Sequence, residues 1–388
     1  MAGTPPIVLH VGAPKAGSSA LQHDLTWNPR RALDGRWGKA CEYVVIDAVG
    51  GIWRRDALAD FAALYAAHYA NSADLTHLVA LPAERLSAIN AALGKLRAEG
   101  TVPILSYEMW LIADEAAVHR FTAALAAPLH VVAYVRDPVS WMQSLSWQSR
   151  DFGGKSTAAW VETYLGWAQW SELLARWATA PNVQRVDVRL LEGGVCGDFA
   201  ALIGSPPPSE EIRHNSGLPG EFVRFIRRGS VHPDLHLSEA KFAWARWVHA
   251  AGAGGELDPA PLMFTAAEIA MIIDGTLESS RKLLSLCTAD IRERLQADAR
   301  WWSAEPAIHA TRRTPRTPAL TLLEESDQLL GETLRAMVAA DGGWRAAESR
   351  LRHAEARCRK LETEVSGLRQ ECTRARRWWP SRLWRKAS

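Results

Sequence analysis

Two hydrophobic patterns alternate along the chain. Short apolar runs, rich in β-branched residues and bounded by turn formers, lie at 7–11, 43–46, 103–106 and 129–135. Runs of that length read as strands, and the run at 129–135 as one buried in a parallel sheet. Residues 183–190 read as another strand, alternating or buried. Between the first four runs, apolar residues recur every three or four positions. That spacing predicts helices over 20–27, 54–70, 86–98 and 116–126. The order βαβαβ predicts an open parallel sheet with helices on both faces. Such sheets bind ligands at the carboxyl ends of their strands.

The later chain reads as mostly helical. Trp160, Tyr164, Trp167, Trp170, Leu174 and Trp177 form one helical stripe, expected to be core rather than a sugar-stacking face. Pro206-Pro207-Pro208 marks a loop, and helices follow from 215 to 228, over 237–251 and over 266–274. The last of these begins at Thr265 with Glu268 three residues on, a capping box. One more helix runs on through 294. Residues 305–318 are basic and proline-bearing and read as a linker, before an amphipathic helix over 320–340.

From Trp344 the apolar period changes. Trp344, Ala347, Leu351, Ala354, Cys358, Leu361, Val365, Leu368, Cys372 and Ala375 keep an unbroken three-four spacing, which predicts a coiled coil. In a parallel pair the flanking residues would meet as Arg350–Glu355, Arg357–Glu362, Glu364–Arg369 and Glu371–Arg376, each of opposite sign. A parallel homodimer is expected. A single helix packed on its own domain is the alternative, because alanine and cysteine make the seam weak. The tail from 377 mixes tryptophan with arginine and lysine, as a segment lying on an anionic membrane surface or a basic free end would. The expected divisions are 1–304, 305–343, 344–376 and 377–388.

Composition narrows the partners. The 388 residues carry a net charge of +2, which predicts no nucleic-acid footprint over the surface as a whole. Cys41, Cys196, Cys287, Cys358 and Cys372 are scattered, without zinc spacing, and read as reduced cytosolic thiols. The start of the chain lacks a basic leader, and no apolar run is long enough to span a bilayer. A cytoplasmic protein is expected, with the tail either at the inner membrane surface or free. Eighteen tryptophans are many, and most should be core.

Two stretches carry candidate chemistry. After the first strand, Gly12-Ala13-Pro14-Lys15-Ala16-Gly17 leads into Ser18-Ser19 and a helix. A glycine-bearing loop between strand and helix aims backbone N–H groups and the positive end of the helix at one spot, where an anion fits. Lysine stands two residues before the second glycine, so the loop is not the Gly-Lys-[Ser/Thr] type. The strand at 129–135 ends in Arg136-Asp137-Pro138, with Ser144 eight residues after the arginine. Arginine at a strand end and serine on the next helix suit a second phosphate, since guanidinium binds phosphate through paired hydrogen bonds.

The order Pro14-Lys15-x-Gly17-Ser18-Ser19 resembles the 5′-phosphosulfate loop of sulfotransferases that use 3′-phosphoadenosine 5′-phosphosulfate (PAPS). Arg136 and Ser144 resemble their 3′-phosphate motif. The resemblance, to the bacterial members, extends to Leu21-Gln22, Ser106-Tyr107-Glu108, Gln148 and Asn215-Ser216. Ala16, Ser18 and Ser19 stand where threonine is common in the loop, and Ser146 stands where an aromatic is usual. Beyond 310 the resemblance gives nothing.

It implies a three-layer αβα fold of P-loop NTPase type, with PAPS as co-substrate, no metal, and an acceptor hydroxyl on a carbohydrate or glycolipid. Lys15 would neutralise the leaving oxygen. Ala16, Gly17, Ser18 and Ser19 would belong with Lys15 to the 5′-phosphate loop, and Arg136 with Ser144 would hold the 3′-phosphate. Glu108 is the candidate base and His10 its rival. Arg227-Arg228-Gly229 is a weaker candidate for a further 3′-phosphate contact. The competing readings are a nucleotide or sugar kinase with a variant loop, and a non-catalytic coiled-coil scaffold that retains the fold.

Overall fold

The computed structural model describes residues 4–35, 37–64, 69–146, 156–192, 194–208 and 264–313. Seven strands form one mixed, mostly parallel sheet: β1 (Ile7–Val11), β2 (Arg30–Ala32), β3 (Ala40–Ile46), β4 (Ile52–Arg54), β5 (Thr101–Tyr107), β6 (Leu129–Val135) and β7 (Val183–Leu190). Their order is β2-β3-β5-β1-β6-β7, with β4 pairing β3 off that path. β3, β5, β1, β6 and β7 run parallel, while β2 and β4 pair antiparallel with β3. Every residue of β1 and β6 is buried, as expected of central strands covered on both faces.

The helices are α1 (Ser18–Trp27), α2 (Asp56–Ala63), α3 (Leu75–Leu78), α4 (Ala83–Ala98), α5 (Glu115–Ala124), α6 (Pro138–Ser146), α7 (Thr157–Tyr164), α8 (Trp170–Ala178) and α9 (Val195–Ile203), then α10 (Ala266–Leu286), α11 (Ala289–Ala297) and α12 (Glu305–Arg313). From β1 the chain crosses by α1 to β3, in one direction along the sheet. From β3 to β5, β6 and β7 it moves in the other direction. Right-handed crossovers therefore put α1 on one face and α4, α5 and α8 on the other. α9 packs beside α1, and α10 packs on α8. The core holds Val8, Leu9, Ile104, Leu105, Val131 and Val132 between these layers. Trp110, Trp141, Trp160, Trp170, Trp177 and Trp301 are its largest fully buried side chains, so these tryptophans are core.

The topology has one consequence for ligand binding. β1 and β6 are neighbours, yet the chain leaves β1 toward β3 and β6 toward β7. Their exits diverge at the carboxyl edge, which makes this the switch point of an open α/β sheet, where such sheets bind ligands.

Several elements differ from expectation. Among the described residues, the helix expected over 54–70 is α2, and it follows the short strand β4. The single helix expected over 160–177 breaks into α7, a 3₁₀ turn at Leu165–Ala168, and α8. Gly166 lies in that turn, and the Gln169 side-chain amide turns away to donate to the Gly275 carbonyl at 2.8 Å. The helix expected over 266–274 continues to 286, on the expected capping box. The first part of the expected linker is α12, whose Pro306 sits in the first turn, where no N–H is needed.

Cys41, Cys196 and Cys287 are buried free thiols. Among the described residues no helix is long and apolar enough to cross a membrane. The helices expected over 215–228, 237–251 and 320–340, the coiled coil at 344–376 and the tail from 377 lie outside the described residues.

Candidate functional site

The loop from Gly12 to Gly17 leaves β1 at the carboxyl edge and is tied to β5. The Gly12 N–H donates to the Tyr107 carbonyl at 3.0 Å, and the Leu111 N–H donates to the Gly12 carbonyl at 3.1 Å. Glycine is required at 12: a Cβ there would sit 2.2 Å from the Ser18 Oγ and 3.0 Å from the Glu108 Cα. The bend is made by two residues with left-handed backbones, Lys15 at φ 62° and Gly17 at φ 87°. The Ala16 N–H closes the turn on the Ala13 carbonyl at 3.2 Å, so Ala16 shapes the loop from inside.

α1 begins at Ser18 on an N-cap, Gly17, that supplies no side-chain acceptor. Among the described residues nothing accepts the N–H groups of Gly17, Ser18 or Ser19. Orphan donors at a helix start are the physical basis of anion binding. The Ser19 hydroxyl receives a hydrogen bond from the Tyr69 hydroxyl at 3.2 Å.

The second stretch converges as its spacing predicts. An Arg136 Nη1 N–H donates to the Ser144 Oγ at 2.8 Å. Among the described residues no carboxylate lies within ion-pair distance of Arg136. Burial pulls its pKa below the usual arginine value, Asp137 pushes back, and Arg300 adds to the fall. Arginine stays charged at physiological pH all the same. Asp137 is buried, which raises its carboxyl, while the Ser140 N–H at 2.9 Å helps to stabilise the charged form.

Two tryptophans join the stretches. The Trp141 indole, on α6, donates to the Pro14 carbonyl of the loop at 2.7 Å. The Trp170 indole donates to the Arg136 carbonyl at 3.0 Å and meets Trp141 edge-on at 5.1 Å. The loop after β1 and the arginine after β6 are thus fixed to one another across 127 residues of sequence.

Glu108 follows β5 and stands half-buried beside the loop. Burial lowers the Lys15 pKa, and the Glu108 charge opposes that fall. Burial also raises Tyr69 and Tyr107, and the Glu108 charge reinforces both shifts. A lysine, a carboxylate and two phenols therefore share this edge. His10 is placed differently. It is fully buried in β1, its Nδ1 lies 2.7 Å from the Ser106 Oγ, and burial depresses its pKa to about 3. The Gln22 side-chain amide donates to the same Ser106 oxygen at 3.0 Å. His10 and Gln22 belong to a polar tie between β1, α1 and β5 beneath the loop.

Trp141, Trp170, Tyr69 and Arg300 were not legible as site residues. Each acts through a contact distant in sequence, and none carries a motif of its own. Gln148, Asn215-Ser216 and Arg227-Arg228-Gly229 lie outside the described residues. Among the described residues no group of three metal-ligating side chains occurs. Comparison with family models, curated proteins and solved structures gives no match.

Proposed function

We propose that the chain is a sulfotransferase that moves a sulfuryl group from PAPS to an acceptor hydroxyl, on a carbohydrate or glycolipid. The observation that supports the reading is the Trp141–Pro14 hydrogen bond, which ties the loop after β1 to the helix that follows Arg136. One nucleotide with phosphates at both ends of its ribose suits that spacing of functions. The N–H groups of Gly17, Ser18 and Ser19 would hold the 5′-phosphate, and Arg136 with Ser144 the 3′-phosphate.

The acceptor oxygen would bond to sulfur as the bond from sulfur to the 5′-phosphate oxygen breaks. Lys15 would meet the negative charge growing on that leaving oxygen, where a preorganised cation lowers the barrier. Glu108 would take the acceptor proton from its place beside the loop at the end of β5. The P-loop character of the fold, the parallel dimer through 344–376 and the membrane contact of the tail belong to the same proposal.

Thermal unfolding tests it directly. 3′-Phosphoadenosine 5′-phosphate (PAP) should raise the melting temperature without magnesium, and ATP should do so weakly. Stabilisation by magnesium-ATP with no response to PAP would overturn the reading in favour of a kinase. Labelled PAPS added to cell extracts would then identify the acceptor.

A further inference from the structure

The anion stretch after β6 has a second cation that no motif announced. Arg300 lies in a 3₁₀ turn, Ala299–Trp301, anchored by the buried Trp301 and packed against α6 and α10. Asp298 grips the guanidinium from the side. The Arg300 Nε donates to Asp298 Oδ1 at 2.8 Å, and the Nη2 donates to Oδ2 at 2.8 Å. A carboxylate on that edge fixes the plane of the group and leaves the Nη1 edge to donate elsewhere. That edge faces the Arg136 motif: the Arg300 Nη1 is 3.8 Å from Asp137 Oδ2. This is ion-pair range but longer than a hydrogen bond.

Arg300 therefore stands at ion-pair range of the buried Asp137, and the charges of both bear on the neighbouring Arg136 guanidinium. Arg136 is bound to a serine hydroxyl and Arg300 is braced by an acid behind it. The other charges nearby are already matched. Arg294 donates to Glu192 at 2.6 Å, and Glu192 also acts on Arg300. The Asp137 Oδ1 accepts the Ser140 N–H. Among the described residues, both arginines keep N–H groups without an acceptor, Arg136 beyond its bond to Ser144 and Arg300 on its Nη1 edge. A doubly charged phosphate ester would bridge them with directed donors from both sides. A singly bonded hydroxyl would have no use for the second guanidinium.

We propose that Arg300 is a second arm of the 3′-phosphate subsite and sets the preference for a nucleotide carrying that phosphate over one that lacks it. The proposal rests on the nucleotide reading above. Asp298 is then a positioning residue, acting through Arg300.

Calorimetric titration of the full chain tests this with two probes, PAP and adenosine 5′-monophosphate. Arg300→Ala should weaken PAP by on the order of tenfold or more and leave the monophosphate within about twofold. Arg300→Lys should fall between, because it keeps the charge and loses the planar fork. The apo melting temperature of each variant checks the fold, and Asp298→Asn provides a milder second variant expected to erode the same preference. Equal loss for both probes, or no loss for PAP, would overturn the role of Arg300 while leaving the nucleotide reading intact. Failure of the unaltered chain to bind PAP would overturn both.

Discussion

The two edges of the sheet treat buried charge in opposite ways. Near the start of β6, His130 sits 2.5 Å from the Asp187 Oδ2 on β7, and Arg185 donates twice to the other oxygen, at 2.8 and 3.0 Å. Trp37 stacks on the His130 ring at 4.1 Å. That cluster is closed: the Asp187 carboxylate is held on one oxygen by His130 and on the other by Arg185. At the carboxyl edge, among the described residues, the donors of Gly17, Ser18 and Ser19 find no acceptor and Arg136 binds a neutral hydroxyl but no carboxylate. Low dielectric makes unmatched polar groups costly, so a fold tolerates them where a ligand supplies the match. One edge matches its charges within the fold, and the other leaves donors without a match among the described residues, as the proposed nucleotide site requires.

The sharpest way to break this contrast is at the closed edge. Asp187→Ala removes the acceptor shared by His130 and Arg185 and should cost about 1.5–3 kcal/mol of unfolding free energy in urea titration. The nucleotide affinity of the folded fraction should not change. A variant as stable as the parent would show that the cluster is not structural.

Lys15→Ala should do the reverse. Turnover with PAPS should drop by about a hundredfold to a thousandfold, the usual cost of losing one group that stabilises developing charge. The melting temperature should barely move. A fall in stability equal to that of the Asp187 variant would erase the distinction between the edges.

His10 gives a pH-dependent test beneath the loop. Its pKa is about 3 in the folded chain against an ordinary 6.5. Between those values the unfolded chain binds the extra proton, so stability is whole above about pH 6.5 and declines as pH falls toward 3. The slope from this group approaches about 1.4 kcal/mol per pH unit. His10→Gln should flatten the urea midpoint between about pH 6.5 and pH 4, and an unchanged slope would remove His10 as its source. The smallest effect is expected from Ser144→Ala, with a loss of about threefold to tenfold in PAP affinity from one missing hydrogen bond. Unchanged affinity would mean that the serine only orients Arg136.

The sequence made the central strands legible because burial on both faces leaves a continuous β-branched run. β6 and β7 begin and end where their patterns do. It also paired Arg136 with Ser144, since strand end, proline and helix fix an eight-residue reach. It did not reveal β2 and β4, three-residue edge strands too short to show a period. The break between α7 and α8 stayed hidden because the apolar stripe keeps helical spacing across it. Trp160, Trp170 and Trp177 are buried on either side of the turn, so burial alone does not reveal it. Trp141 and Arg300 act through folded-chain contacts, and only three-dimensional closure brings them to the site.

The uncapped opening of α1 turns occupancy into something observable. Its first amides have no acceptor among the described residues, so their exchange with deuterated solvent would be fast until an anion lies over them. The left-handed bend at Lys15 and Gly17 is already in place, so filling the loop would slow those few amides without reshaping the backbone. The start of this helix would thus act as a built-in gauge of loading, legible by mass spectrometry in a peptide spanning residues 13–21.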